Sequence, residues 1–266
     1  RAHTFAQARA LAAALAARGL DVPVAVGMRH GAPSIGTALG NLAARGCRRP
    51  LGVILSPFRS DASWDVYRRA VAEACRAAGT VPVTFLAPWG DDRRYAQAVA
   101  DRVRETVPLP ADAPAHTVFT AHAIPAEMAA ASSYGDQLDH LAQRVSARLR
   151  LPSYSLAYQS RPLRAAGEWT GPALWDHLAS LAREGVRKVV AVPAGFVCDH
   201  KEVLYDLDRE AADAARSLGM EFRRAGTVGD HPGFIGMLAD RIVQRGIPHA
   251  DVTVRHAPDR FSSNWK

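Results

Sequence analysis

The chain alternates almost without interruption between short apolar runs and longer segments of helical period, and this alternation limits its folding more than any other feature. Val22–Met28, Leu51–Pro57, Val81–Pro88, Thr117–Thr120, Tyr154–Ser160, Val189–Val192 and Met220–Ala225 read as strands. Between and around them, residues 5–18, 33–45, 62–78, 91–106, 132–148, 173–184, 201–218 and 231–245 read as helices. Strict strand–helix alternation with short connections gives a parallel sheet with right-handed crossovers. Seven or more strands divide more naturally into two halves than into one sheet. The PLPADAP stretch, Pro108–Pro114, is the best linker signal and places the division at 1–112 and 113–266. The expected class is α/β, with two Rossmann-like (flavodoxin-like) parallel-sheet domains. An α/β domain normally begins on a strand; this chain begins on a helix.

Composition bounds the function. The 266 residues suffice for one large or two smaller domains with substantial cores. No apolar run reaches the ~18 residues of a membrane span, and no signal peptide is evident, since Leu11–Ala17 belongs to a helical pattern flanked by Arg9 and Arg18. The formal charge of +7 is dispersed rather than gathered in a Lys/Arg block, which does not suggest nucleic acid. It leaves room for an anionic ligand or a membrane surface. Three separate cysteines, Cys47, Cys75 and Cys198, form no C-x-x-C pair, as suits a reducing cytoplasm. Gly31, Gly36 and Gly40 make no dinucleotide fingerprint.

The residues that carry chemistry cluster at strand ends. After the apolar run Val189–Val192 the chain breaks at Pro193 and Gly195, then restarts as a helix near Asp199. On that helix Glu202, Asp206 and Glu210 fall at i, i+4 and i+8 and share one face. Like charges at this spacing cost a few tenths of a kcal/mol per pair. A solvated surface tolerates that cost, and a cationic ligand would offset it. His122 ends another β-branched run just before Pro125. A lone His at a strand end is more often a loop residue than a catalyst. In open α/β sheets, however, ligands collect outside the carboxyl ends of the strands, and that rule brings His122 to the Asp199–Glu202 corner.

These stretches, GFVCDHKEVLYDLDREA, FTAHAIP and LAYQSR, resemble the ferrochelatase family of porphyrin-metallating enzymes. The resemblance runs from about residue 3 to residue 245. It implies a chelatase-like fold with the active-site cleft between the two halves. It also implies a family N-terminal segment, with a first strand, a glycine-rich turn and part of the lip over the porphyrin, to which nothing in this sequence corresponds. By the same resemblance, His122 and Glu202 match the residues that face each other across the porphyrin centre and share metal handoff and proton acceptance. Asp206 and Glu210 would continue as an outer metal site or proton exit. Asp199 and His200 would orient the corner, where a carboxylate bonded to an imidazole is a common support. His30 and Tyr67 match porphyrin-facing positions, although a loop histidine and an amphipathic helix explain them equally well. Trp89 and Gln159–Ser160 match as packing and loop-shaping residues. Some family members carry an iron–sulfur cluster on C-terminal cysteines; the tail HAPDRFSSNWK has none, so no cluster is expected.

The function implied is insertion of Fe(II), as substrate and without an organic cofactor, into protoporphyrin or coproporphyrin in the cytoplasm. The partners are the porphyrin and ferrous iron, with room for a transient contact with a membrane surface or a heme acceptor. The competing readings are a cobalt chelatase for a related tetrapyrrole and a non-catalytic tetrapyrrole- or metal-binding relic. A neutral imidazole suits removal of pyrrole protons, and imidazole with carboxylate suits a borderline cation that must be released.

Overall fold

The computed structural model describes residues 1–106, 115–162 and 166–246. The predicted division at residue 112 and the cysteine-free tail lie outside the described residues. A four-stranded parallel sheet dominates the second half: β3 (His116–His122), β4 (Tyr154–Gln159), β5 (Lys188–Val192) and β6 (Glu221–Arg224), in the order β4-β3-β5-β6. Successive side chains of β3 and β5 point to opposite faces, and both faces are covered. Phe119, Val190 and Val192 join the core with Leu138, Leu141 and Val145 of α6 (Tyr134–Leu149). Val118 and Val189 meet Leu174, Leu178 and Leu181 of α7 (Leu174–Arg183) on the other side. Each such buried aliphatic chain contributes about 1.5–3 kcal/mol relative to exposure. This double covering explains why β5 after Lys188 is a short run of valine and alanine rather than an apolar–polar alternation.

The first half departs from expectation. Among its described residues only Leu51–Gly52 (β1) and Thr84–Phe85 (β2) form a ladder, parallel, with Leu51 opposite Thr84. The predicted strand Val22–Met28 makes no ladder among the described residues; only Met28 forms an isolated bridge, to Ser34. The physical reason is open space: Val22–Gly27 and Leu51–Leu55 both line one cavity and share no backbone hydrogen bond among the described residues. Ladder hydrogen bonds require neighbouring strands about 4.8 Å apart.

Helices α1 (Ala2–Ala16), α2 (Ile35–Ala44), α3 (Val66–Ala78) and α4 (Arg93–Thr106) surround this half. The last helix, α10 (Pro232–Gln244), packs on α1 and α4 rather than on its sequence neighbours. Its Ile235, Leu238 and Ile242 share one core with Leu11 and Leu15. Gln7 ties α1 to the second half by donating to the carbonyls of Val197 (2.8 Å) and Gly229 (2.9 Å).

Two predicted helices are interrupted. The stretch expected at 132–148 is preceded by a separate α5 (Ala126–Ser132), broken from α6 by Ser133 at φ 50°. The helix expected at 201–218 comprises α8 (Lys201–Tyr205), a π-helical turn (Asp206–Ala211) and α9 (Ala212–Ser217). No helix of the described residues is long and apolar enough to cross a membrane.

Candidate active site

A cavity of about 1790 Å³ runs from the apolar interior of the first half, past Leu11, Leu39 and Leu238, to the end of β3. His122, the last residue of β3, lines it together with Glu202 from the first turn of α8. The His122 Nδ1 lies 2.5 Å from the Ala123 carbonyl oxygen. A carbonyl can only accept, so the neutral ring carries its proton on Nδ1 and keeps a lone pair on Nε2. That Nε2 stands 3.9 Å from Glu202 Oε2, too far for a direct hydrogen bond. The gap fits a shared ion, since imidazole and carboxylate bonds to zinc are each about 2.0–2.2 Å. The Tyr134 hydroxyl donates to the His122 carbonyl at 3.1 Å, and burial raises the phenol's pKa well above its ordinary value, so it stays a donor.

The corner leading to Glu202 is braced from below. Gly195 donates its backbone N–H to Thr120 at 3.0 Å, bringing the end of β5 against the end of β3. His200 caps α8, its Nδ1 accepting from the Val203 N–H at 3.3 Å, while its ring meets Phe196 edge-on at 5.1 Å. Asp199 orients the corner through a different partner from the imidazole expected. It accepts from Arg224 Nη1 at 3.0 Å and from the Thr227 N–H at 3.3 Å. The reason is the sheet: Arg224 ends β6, opposite Ala191 of β5, which places its guanidinium beneath the β5–α8 turn. The same guanidinium reaches both oxygens of Asp208, at 2.5 and 3.0 Å, and these carboxylates hold its pKa above the ordinary arginine value against the opposing effect of burial.

The acidic ladder divides. Glu202 stands on α8, whereas Asp206 and Glu210 stand on the π-helical turn that follows it. Only Glu202 reaches the cleft; Asp206 and Glu210 follow roughly 6 and 12 Å along the axis at α-helical rise. Asp206 is buried and bonded to Gln159 and Ser160, whereas Glu210 is exposed. Among the described residues, no three His, Cys, Asp or Glu side chains converge as a metal cage.

From the other half, His30 and Tyr67 line the same cleft, with the Arg29 guanidinium 5.7 Å from the Tyr67 ring centroid. Trp89 is fully buried among Tyr95 and Phe234 and donates to the Ile54 carbonyl at 3.1 Å, a packing role. Sequence reasoning missed Tyr134 and Arg224. Each acts through a long-range partner that no local spacing announces.

The ferrochelatase family pattern matches residues 1–246. A coproporphyrin III ferrochelatase of Propionibacterium freudenreichii is 41% identical over 256 residues, covering 90% of this chain and 72% of the relative. A ferrochelatase of Acidobacterium capsulatum is 34% identical over 263 residues, covering 92% and 79%. Among solved structures, Bacillus subtilis SirB with Fe3+ superposes with a TM-score of 0.62 at 14% identity, covering 89% of this chain and 88% of that one. CbiX, described as the terminal enzyme of siroheme biosynthesis in denitrifying bacteria, gives 0.54 at 18% identity, covering 89% and 90%. At such identities these two show the chelatase fold alone, whereas the family match rests on the sequence itself. The chain belongs to the ferrochelatase family.

Proposed function

We propose that this chain inserts ferrous iron into a porphyrin, a metallation step of heme biosynthesis. The observation that carries the reading is the His122 Nε2 lone pair facing Glu202 Oε2 across 3.9 Å at the wall of a large cleft. Two pyrrole protons must leave as the metal enters. His122 accepts them in turn, and Glu202, which opens to solvent, takes them onward. The same nitrogen and oxygen donors hold Fe(II) weakly enough to release it into the ring, which a thiolate-rich cage would not do. His30 and Tyr67 contact the macrocycle from the opposite wall. Glu210, exposed farther along the helix, belongs to the outer approach of the metal.

Coproporphyrin III is the porphyrin favoured, because the relative from P. freudenreichii carries that activity in its name. The test is anaerobic incubation of the chain with Fe(II) and, separately, coproporphyrin III and protoporphyrin IX, followed by porphyrin absorbance. Metallation above the protein-free rate, faster with coproporphyrin, is the expected result. Bound but unmetallated porphyrin would overturn the catalytic reading in favour of a binding protein.

A further inference from the structure

Asp206 sits in the middle of the acidic ladder, yet its surroundings are those of a structural tie. The residue is 8% exposed, and both donors that reach its side chain land on one oxygen. The Ser160 hydroxyl donates to Oδ2, and the Gln159 amide donates to the same atom at 3.3 Å. Gln159 is itself 1% exposed, and its amide orientation is set from behind, because the Thr120 hydroxyl donates to Gln159 Oε1 at 2.9 Å. Asp206 Oδ1 accepts no hydrogen bond from the described residues. Ser160 adopts φ 63°, a left-handed conformation that a residue with a Cβ adopts only when its surroundings hold it there.

The tie completes a chain of hydrogen bonds between the two groups of the cleft. The Asp206 N–H donates to the Glu202 carbonyl. Gln159 lies directly opposite His122 in the β3–β4 ladder, and its carbonyl accepts the Ala123 N–H at 2.7 Å. The Ala123 carbonyl in turn receives the His122 Nδ1 proton. Glu202, Asp206, Gln159, Ala123 and His122 are thus joined in sequence by hydrogen bonds.

We infer that Asp206 is a positioning residue, whose carboxylate fastens the π-turn to Gln159 and Ser160 and thereby fixes Glu202 at its distance from His122. The inference rests on the metallation reading above and assigns Gln159 and Ser160 a part in it beyond loop shaping. It separates cleanly from a metal-ligand role, because a clamp needs only an acceptor oxygen where Oδ2 stands, whereas a ligand or proton carrier needs the charge. Asparagine supplies the oxygen without the charge, and its amide nitrogen would replace an oxygen that accepts no hydrogen bond from the described residues.

The experiment compares Asp206→Asn, Asp206→Ala and the double variant Gln159→Leu/Ser160→Ala for kcat and for KM toward Fe(II), with porphyrin fluorescence quenching as the check on folding. Asp206→Asn is expected to stay within about twofold of wild type, while Asp206→Ala and the double variant lose ~10–100-fold in kcat at little-changed KM for iron. Asp206→Asn falling as far as Asp206→Ala, or raising the KM for iron, would overturn the inference in favour of direct metal contact. A double variant with wild-type turnover would overturn it as well. Should the wild-type chain metallate no porphyrin, the functional reading fails by that result, and hydrogen exchange of amides 206–211 decides the clamp separately. Faster exchange in Asp206→Ala and the double variant but not in Asp206→Asn supports it, and equal exchange in all sinks it.

Discussion

Gly195 runs so close to Ala121 that a Cβ on the glycine would stand 2.7 Å from the alanine Cβ and 2.9 Å from its Cα. No side chain can yield at that contact, because one of the atoms is backbone. The contact presses the β5–α8 turn onto the end of β3, one residue before His122. Gly195→Ala should therefore cost about 1–3 kcal/mol through overpacking and displace the Glu202 corner. Urea denaturation and metallation assays should both register the change; a variant with wild-type stability would show that the turn is free to move.

His122→Ala removes the lone pair that faces Glu202. Turnover should fall by roughly 10²–10⁴, the range of a lost general base, while porphyrin affinity measured by fluorescence quenching stays the same. Unchanged turnover would remove His122 from the chemistry.

Glu210 is exposed and lies outside the cleft lining. Glu210→Ala should raise the iron concentration needed for half-maximal rate by only a few-fold, the order of one screened charge. A loss equal to that of His122→Ala would put Glu210 beside the ring and refute the order of the ladder.

Stability should depend on two histidines remote from the cleft. His116 Nε2 and His177 Nε2 both converge on the Ser155 hydroxyl, at 2.8 and 2.6 Å. Burial lowers the pKa of both; for His116 the neighbouring His177 lowers it further, and Glu184 opposes the shift at each. Neutral rings therefore favour the folded state. The unfolded chain takes up protons first as pH falls below the ordinary imidazole value of about 6.5. Their contribution is complete above that pH and is lost as pH falls through the lower folded values. Denaturation midpoints should rise with pH up to about 6.5 and level off above it, and a His116→Gln/His177→Gln variant should show a flatter profile.

The second half was legible because its signals are local. The all-buried run at Val189–Val192 and the i, i+4, i+7 pattern of Leu174, Leu178 and Leu181 report their burial directly. The strand expected at Val22–Met28 is also valine-rich, but ladder pairing is a tertiary property that composition cannot supply. The π-turn did leave a trace. Val203, Leu207, Ala211 and Ala215 are all buried at a constant spacing of four. Three α-helical turns span about 10.8 residues, so a stripe that needs twelve contains roughly one residue too many. At the site, the meeting of His122 and Glu202 followed from the strand-end rule. The Arg224 brace beneath Asp199 did not, because it depends on the register between β5 and β6.

The packing of α10 against α1 has a consequence for synthesis. The ribosome releases Leu11 and Leu15 long before Ile235, Leu238 and Ile242, the residues that complete their core. Domains generally fold as units in order of emergence, but here the amino-terminal helices must wait for nearly the last helix described. Contacts between such distant positions make closure slow. Until then the apolar faces of α1 and α4 that α10 covers stay exposed, and a chain stopped before residue 232 would leave them open to aggregation.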